Sequence, residues 1–410
     1  MKKRKLYIFH ATDYENFPLG GTLGTIKIFI KYTRFDCVLI GISNKNKNLI
    51  GKWQTIKIHG KDYPFLPVAY DKNGKIPHKL KLFFGLIFYS GIIRKFFIND
   101  NLNAMIFVNR ESFIPVRYII GRDKTVNVFY KMTEAVNPLT TSGHRLAKFK
   151  LLQKIYYKFF IQPLLRGSST IFSINQQCRD FCQKTLTSHC QKQKIIDVNH
   201  YVDYDNLLKI YNKAKPWYED NYSAKKRLIF WGRLAVVKGL DLMIKGIAEL
   251  MQRGIDVELL IIGDGPERSN LEKLVKTLDL DKCIFFLGRK GISEIAALSK
   301  CSDLFLMSSY SEGIPTSMLE ALTFGLPVFS TAVGGIPSLI TEEVNAYLIN
   351  NRNSSDYAFG IIKALQLDRK RAMDCGRNHI NTYYAAKNVI KQMDNVINRS
   401  IDSDKDAGLL

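Results

Sequence analysis

A tight loop that leads into an apolar helix carries two glutamates in the second half of the sequence. The segment reads Ser311-Glu312-Gly313-Ile314-Pro315-Thr316-Ser317-Met318-Leu319-Glu320-Ala321-Leu322. Gly313 and Pro315 predict a loop turning into a helix with proline at its first position, where free N–H groups form an anion site. Because a buried carboxylate needs hydrogen-bond donors, Glu320 among its apolar neighbours would suit the two hydroxyls of a ribose. The alternative is a glutamate capped by the backbone or paired with a distant lysine.

Two cations lie close together after an apolar run, in Gly232-Arg233-Leu234-Ala235-Val236-Val237-Lys238-Gly239. Arginine offers a planar fork of donors and lysine a point charge, a combination suited to a diphosphate. A pair of solvated surface cations is the competing interpretation.

Three glycine-containing turns follow predicted strands. They are Gly263-Asp264-Gly265-Pro266, Gly334-Gly335 and Gly20-Gly21. Glycine lets the backbone approach a phosphate closely, and the Gly20-Gly21 turn would do so from the N-terminal domain. Each turn alone says little about function.

Short β-branched and aromatic runs alternate with helical segments throughout the chain, which predicts a parallel α/β fold. The strand candidates are 5–11, 36–42, 104–109, 125–131, 170–174 and 194–198, then 227–231, 257–262, 283–287, 304–308 and 327–331. We expect an N-terminal domain at 1–200, a linker with a short helix at 201–226, a second domain at 227–380, and a helix and polar tail at 381–410. Two doubly wound domains would face each other across a central cleft, where such sheets bind ligands.

Together these residues resemble the family-four retaining glycosyltransferases, which have the two-domain GT-B architecture of Rossmann-like domains. The resemblance is close over residues 227–349 and weak before residue 200. It includes Glu312 and Glu320 as the Glu-x7-Glu signature, the Gly-Arg-Leu…Lys-Gly motif and the Gly-Asp-Gly-Pro turn. Phe286-Leu287-Gly288, the segment 321–327 and the Gly-Gly loop continue it in the same order.

The resemblance implies that the domain at 1–200 binds the acceptor and the domain at 227–380 binds the nucleotide sugar. It also implies roles for the donor-site residues. Arg233 and Lys238 would hold the diphosphate of a UDP- or GDP-linked sugar and stabilise it as the leaving group, and Glu320 would hold the ribose. Glu312 would contact the sugar hydroxyls and act with the two cations in catalysis. The remaining donor contacts would be Gly20, Gly21, Gly288, Arg289, Gly313, Ile314, Pro315 and Thr316, with Gly288 and Arg289 facing the base. The family retains the anomeric configuration and needs neither metal nor cofactor.

Four departures separate this sequence from the family pattern. His200-Tyr201-Val202-Asp203 stands where Asn-Gly-Val-Asp is frequent, and Ala346 where glycine is frequent. Residues 130–134 lack the histidine that many members carry, so the acceptor-side catalytic contact is unassigned, with His144 a remote candidate. Asp402-Ser403-Asp404 imitates a metal motif but falls in the expected polar tail.

The charge is divided very unevenly between the two halves. Residues 1–200 hold 33 Lys and Arg against 11 Asp and Glu, a net +22, whereas residues 201–410 hold 27 against 26, a net +1. The basic half also contains two cationic, aromatic-rich segments, 75–97 and 145–166, typical of helices in a bilayer interface. Core helices with a solvated basic face are the alternative. The longest apolar stretch, 82–93, is too short to span a bilayer.

These features predict a cytoplasmic enzyme at the inner face of the cell membrane, with an anionic membrane surface and a lipid-linked or saccharide acceptor as partners. The seven cysteines are mostly isolated, as in a reducing cytoplasm. A nucleotide-sugar hydrolase or epimerase of the same fold is the runner-up. A basic nucleic-acid-binding protein is a further alternative, but it leaves Glu312 and Glu320 unexplained, and we expect no nucleic-acid partner.

Overall fold

The computed structural model describes residues 4–15, 21–71, 78–99, 105–108, 110–121, 126–132, 150–186, 188, 192, 194–217 and 225–407. The chain divides into two compact units. Unit 1 contains the described residues up to Asn199 together with those from Val389 onward, and unit 2 runs from His200 to Asn388.

Unit 1 is built on a sheet of eight strands in the order β3-β4-β2-β1-β5-β6-β7-β8. The strands are β1 Lys5–Phe9, β2 Asp36–Ser43, β3 Gln54–Ile58, β4 Lys61–Tyr70, β5 Met105–Val108, β6 Val128–Met132, β7 Thr170–Ser173 and β8 Ile195–Asp197. All neighbours are parallel except β3 and β4. The six strands predicted for this half are present, with their ends shifted by up to three residues.

The β3–β4 hairpin is an element that the strand pattern missed. Pro64 and Pro67 lie within β4, and proline normally argues against a strand because it cannot donate to the ladder. Its two-residue turn is His59-Gly60, with φ values of 51° and 78°. This left-handed pair suits a hairpin turn, but a histidine there gives little sequence signal.

The helices of unit 1 surround this sheet. They are α1 Gly21–Tyr32, α2 His78–Phe88, α3 Ser90–Asn99, α4 Phe113–Ile120, α5 Lys150–Tyr156, a π-helical turn Tyr157–Ile161, α6 Gln162–Gly167 and α7 Gln176–Thr185. Helix α2 packs against β4 so closely that a Cβ on Gly85 would lie 2.2 Å from the Val68 carbonyl oxygen. Leu82 and Leu86 on the same face are fully buried.

Unit 2 contains a parallel sheet of six strands in the order β11-β10-β9-β12-β13-β14. The strands are β9 Lys226–Trp231, β10 Val257–Ile262, β11 Ile284–Gly288, β12 Leu304–Met307, β13 Val328–Thr331 and β14 Ala346–Ile349. The five predicted strands are confirmed, and β14 was missed because its four residues lie beyond the last clear apolar run.

The helices of unit 2 cover this sheet. They are α8 Tyr204–Lys213, α9 Leu240–Gln252, α10 Arg268–Thr277, α11 Ile292–Lys300, α12 Thr316–Phe324, α13 Ser354–Leu365, α14 Arg369–Tyr383 and α15 Ala386–Ala407, which continues into unit 1. A core of buried aliphatic side chains joins α9 and α13 to strands β9 and β10. This core holds the strand ends in fixed positions.

The segments expected at 201–226 and 381–410 both contain helices. The short helix within 201–226 is α8, which belongs to unit 2 and stacks Tyr211 on Phe324 with ring centroids 5.4 Å apart. In the C-terminal helix α15, Asp394 accepts hydrogen bonds from the Thr33 hydroxyl at 2.8 Å and the Arg34 N–H at 2.9 Å. Neither contact is visible from local sequence, since its partners lie far apart along the chain.

Candidate functional site

The motif residues of unit 2 gather at the carboxyl ends of its parallel strands. Strand β9 lies beside β12, and the chain proceeds from β9 to β10 on one side and from β12 to β13 on the other. The point where the strand order reverses in this way is where doubly wound sheets bind ligands. Gly232 and Arg233 follow β9 at this point, and Ser308 to Glu312 follow β12.

Lys238 and Glu312 meet at this switch point. The Lys238 Nζ lies 2.6 Å from the Glu312 Oε1, and the Ser309 hydroxyl donates to the same oxygen at 2.6 Å. The side chains of Lys238 and Glu312 are 20% and 10% exposed. The sequence assigned these residues to different parts of the donor, and the structure joins them as one partly buried ion pair.

Close backbone packing makes glycine necessary around this pair. Gly239 has a φ of 60°, and a Cβ there would lie 2.3 Å from the Ser308 carbonyl oxygen. Gly334, also at 60°, would place a Cβ 1.7 Å from the Glu312 carbonyl oxygen, and Gly335 donates its N–H to the Gly313 carbonyl at 2.9 Å. The Gly334-Gly335 loop therefore packs directly against the backbone of the loop that carries Glu312.

Helix α12 begins one residue later than expected. Pro315 has a ψ of 118°, so it caps the helix from an extended conformation and Thr316 is the first helical residue. The N–H groups of Met318 and Leu319 bond to the Pro315 carbonyl. Those of Thr316 and Ser317 have no acceptor among the residues that the structure describes, so this helix start offers two donors to an anion.

His200 reaches the same helix start. Its Nε2 lies 3.1 Å from the Thr316 hydroxyl oxygen, and the ring is buried and stacked near Tyr201. The sequence marked this position only as a departure from the family pattern. The structure makes it a neighbour of the start of α12.

Glu320 lies one helical turn further along α12 and is half-buried. The Trp231 indole N–H donates to its Oε2 at 2.7 Å. Burial raises the pKa of Glu320 to about 7, and the hydrogen bond from Trp231 opposes this rise. The expectation that Glu320 needs a donor is therefore met in part by Trp231, which ends β9 and which the sequence did not single out.

Arg233 is exposed, and its guanidinium makes no hydrogen bond or ion pair within the described part of the chain. Its neighbour Leu234 is fully buried and anchors the loop through hydrogen bonds between its backbone and the turn after β10. The guanidinium is thus presented to solvent from a fixed backbone, as a cation for an anionic ligand requires.

Gly288 and Arg289 lie at the end of β11, at the outer edge of the sheet. Gly288 has a φ of 68°, and its carbonyl accepts the Gly263 N–H at 2.7 Å. Arg289 is exposed. These two residues share the strand-end edge with the Glu312 cluster but lie two strands away from β9.

Two donor contacts were expected from the N-terminal half. Gly21 opens α1 in unit 1, and Gly20 lies outside the described residues. His144 also lies outside them. Tyr130, in the region where many family members carry a histidine, accepts a hydrogen bond from the Arg110 Nε at 3.0 Å.

Arg352 is a further cation that the sequence did not reveal. Its Nη1 donates to the Ser309 carbonyl oxygen at 2.7 Å, and its guanidinium carbon lies 3.8 Å from the centre of the Tyr310 ring. The buried Nη2 has no partner among the described residues and would lie 2.6 Å from a Cβ on Gly239. A polar residue shortly after an edge strand such as β14 gives no motif to find it by.

The assembled site can hold an anion and a polyol side by side. Arg233, Lys238 and two helix N–H groups supply positive charge, and the carboxylates of Glu312 and Glu320 can accept hydroxyl hydrogen bonds. Within the described residues, no group of three His, Cys, Asp or Glu side chains is arranged to hold a metal ion.

Part of the sequence is similar to known glycosyltransferases. Residues 212–382 match the family described as glycosyl transferases group 1. An uncharacterized glycosyltransferase of Methanocaldococcus jannaschii is 26% identical over 234 residues, which cover 52% of this chain and 59% of that protein. The match thus spans little more than half of that relative's length.

Solved structures resemble the whole chain in fold. Sucrose-phosphate synthase from Thermosynechococcus elongatus superposes with a TM-score of 0.78 at 14% identity, covering 98% of this chain and 100% of that one. HepE of Anabaena, solved in complex with UDP, gives a TM-score of 0.68 at 15% identity, covering 97% and 100%. Residues 212–382 therefore match the group 1 glycosyl transferases, and the chain has the GT-B fold.

Proposed function

We propose that this protein is a retaining glycosyltransferase that moves a sugar from a UDP- or GDP-linked donor to a lipid-linked or saccharide acceptor. The observation that carries the proposal is the Lys238–Glu312 pair at the switch point of the unit 2 sheet, beside the exposed Arg233. A cation and a hydroxyl acceptor held 2.6 Å apart can contact the diphosphate and the sugar of one donor. The UDP bound to HepE, a protein of the same fold, supports a nucleotide ligand.

The positive groups would act on the leaving group. When the bond between the anomeric carbon and the diphosphate breaks, the electron pair leaves with the phosphate oxygen, and Arg233, Lys238 and the start of α12 stabilise that charge. The acceptor oxygen bonds to the same face of the anomeric carbon and its proton passes to the departing phosphate. Because cations already neutralise the diphosphate, we propose that the reaction needs no metal or other cofactor.

Glu320 would recognise the ribose. The Trp231 indole N–H donates to the Glu320 Oε2 at 2.7 Å. The other oxygen, Oε1, would accept a hydrogen bond from a ribose hydroxyl. A neutral Glu320 carboxyl would ionise when the ribose hydroxyls donate to it, because hydrogen bonds to the charged form favour that form.

The acceptor would be bound by unit 1 at the cytoplasmic face of an anionic membrane. The net charge of +22 on residues 1–200 supports this location, because basic residues bind the anionic inner leaflet. Among the described residues, no helix is both long and apolar enough to cross a membrane.

Incubation of the protein with UDP- and GDP-sugars in the presence and absence of crude lipid-linked acceptor tests the proposal. We expect acceptor-dependent release of nucleoside diphosphate, unchanged by excess EDTA, and a product that keeps the donor's anomeric configuration by NMR. Release at the same rate without acceptor would instead identify a hydrolase or epimerase. Inversion of configuration would exclude the proposed mechanism.

A further inference from the structure

Large apolar side chains are concentrated on the solvent-facing surface of one group of helices in unit 1. We name the following six the exposed apolar face: Leu80, Phe84, Phe88, Tyr118, Leu151 and Phe159. They come from α2, α4, α5 and the adjoining π-helical turn. Phe88 is 80% exposed and Leu151 71% exposed. Single exposed apolar residues are ordinary, but contiguous groups mark an interaction surface.

These helices form one continuous layer. Helix α2 packs against both α3 and α4, and Phe83 of α2 lies against Phe160 of the π-helical turn with ring centroids 6.4 Å apart. The layer therefore presents its apolar side chains together.

The spacing along α2 shows that the outer face is a second apolar stripe. Leu82 and Leu86 point into unit 1, whereas Leu80, Phe84 and Phe88 recur every four residues on the outside. A helix that is apolar on both faces is one that is also covered on its outer side.

The charges on this layer of helices indicate which kind of partner fits the exposed apolar face. Helices α2 to α6 and the π-helical turn contain no aspartate or glutamate. Exposed cations flank the apolar face, among them Arg94, Lys95, Lys150, Lys154 and Lys158. An apolar face on helices whose charged side chains are cations matches a bilayer of anionic lipids, where the aromatics enter the acyl boundary and the cations meet the head groups.

One cation expected to face the membrane does not. Lys81 is mostly buried and pairs with the fully buried carboxylate of Asp71. It therefore stabilises unit 1 from inside, and any charge reversal at Lys81 would test folding rather than membrane binding.

We infer that unit 1 inserts the exposed apolar face into an anionic bilayer, so that apolar insertion and not charge alone holds the protein there. This inference deepens the proposed function, because it names the surface by which the enzyme would reach a lipid-linked acceptor. It commits to insertion, which distinguishes it from simple electrostatic adsorption.

Sedimentation with vesicles of phosphatidylglycerol and phosphatidylcholine tests the inference. The full chain should bind at about 0.1 M salt and keep a large part of its binding at about 0.5 M, where screening removes most electrostatic attraction. Replacing Phe84, Phe88, Leu151 and Phe159 together by Ser should weaken binding by more than about tenfold. The matched control Phe359→Ser/Tyr383→Ser changes exposed aromatics of unit 2 and should bind as the wild type does.

Fluorescence gives a direct view of insertion. Phe88→Trp should add a signal that brominated lipids quench, above the background of the three native tryptophans. Absence of quenching, or equal vesicle binding by the four-Ser variant, would overturn the inference. A wild-type dimer in lipid-free buffer that the four-Ser variant converts to monomer would also overturn it, by showing that a second copy covers the face.

Nucleotide binding separates this inference from the proposed function. The four-Ser variant should show the same thermal shift with UDP or GDP as the wild type, because its substitutions lie in unit 1. Vesicle insertion without any nucleotide shift would leave this inference standing and remove the proposed function. A thermal shift with UDP or GDP but no insertion into vesicles would overturn this inference and leave the proposed function standing.

Discussion

The protonation of Glu320 should couple the stability of unit 2 to its function. The carboxyl is half-buried, with one donor, the Trp231 indole, among the contacts that the structure gives it. Burial raises its pKa from 4.5 to about 7. The folded protein therefore binds a proton that the unfolded chain has already released, and the stability this proton contributes is lost as the pH rises from about 4.5 through 7.

Glu320→Gln removes that dependence while keeping the shape of the side chain. One pKa unit corresponds to about 1.4 kcal/mol, so the rise in the pKa of Glu320 from 4.5 to about 7 corresponds to about 3.5 kcal/mol. Because water partly screens a half-buried carboxyl, we expect Glu320→Gln to raise the free energy of unfolding by only about 1 to 3 kcal/mol. At about pH 8 the variant should thus be more stable than the wild type, with a melting temperature higher by about 2 to 4 °C per kcal/mol.

Thermal unfolding across the pH range measures this effect. The difference between Glu320→Gln and wild type should be near zero at about pH 4.5 and reach its full value above about pH 7. The same variant should bind nucleoside diphosphate more weakly, since an amide accepts ribose hydroxyls less well than a carboxylate. A variant that is less stable than wild type at every pH would refute the reasoning, because Glu320 would then be an ionised structural partner.

Three other substitutions probe the site. Arg233→Ala should lower kcat by about 10² to 10³ and affect KM less, because the leaving charge grows in the transition state; an unchanged kcat would remove Arg233 from catalysis. Glu312→Gln should abolish turnover and destabilise the protein by about 1 to 3 kcal/mol, because it leaves Lys238 unpaired. In a double-mutant cycle, Lys238→Met/Glu312→Gln should recover the lost stability but not the activity. Trp231→Phe should shift the pH midpoint of nucleotide affinity upward, because Glu320 loses the donor that favours its charged form; an unmoved midpoint would show that Trp231 only fills space.

The strands and donor motifs of unit 2 were predictable because local pattern determines them. A buried parallel strand followed by a glycine turn, as in Val257–Ile262 and Gly263, is a continuous signal in sequence. Parallel strands bring their carboxyl ends together, so the sequence predicts Arg233, Lys238 and Glu312, which follow two predicted strands, at one edge of the sheet.

The contacts that sequence could not supply are those made across large separations. Trp231 donates to Glu320 from 89 residues away and Arg352 to Ser309 from 43, and neither carries a motif. The ion pair of Lys81 with Asp71 likewise turned an expected surface cation into an internal one. These contacts depend on how the helices and strands pack together, whereas the sequence pattern gives only the residue type at each position.

Isothermal titration of UDP and GDP into the full chain in excess EDTA tests the central claim most directly. We expect saturable one-site binding of at least one of them, strongly weakened in Glu320→Ala and Lys238→Ala but not in the control Phe359→Ser. Binding that requires added magnesium or manganese would contradict the metal-free diphosphate site. Equal affinity in wild type and Glu320→Ala would contradict the assignment of the site itself.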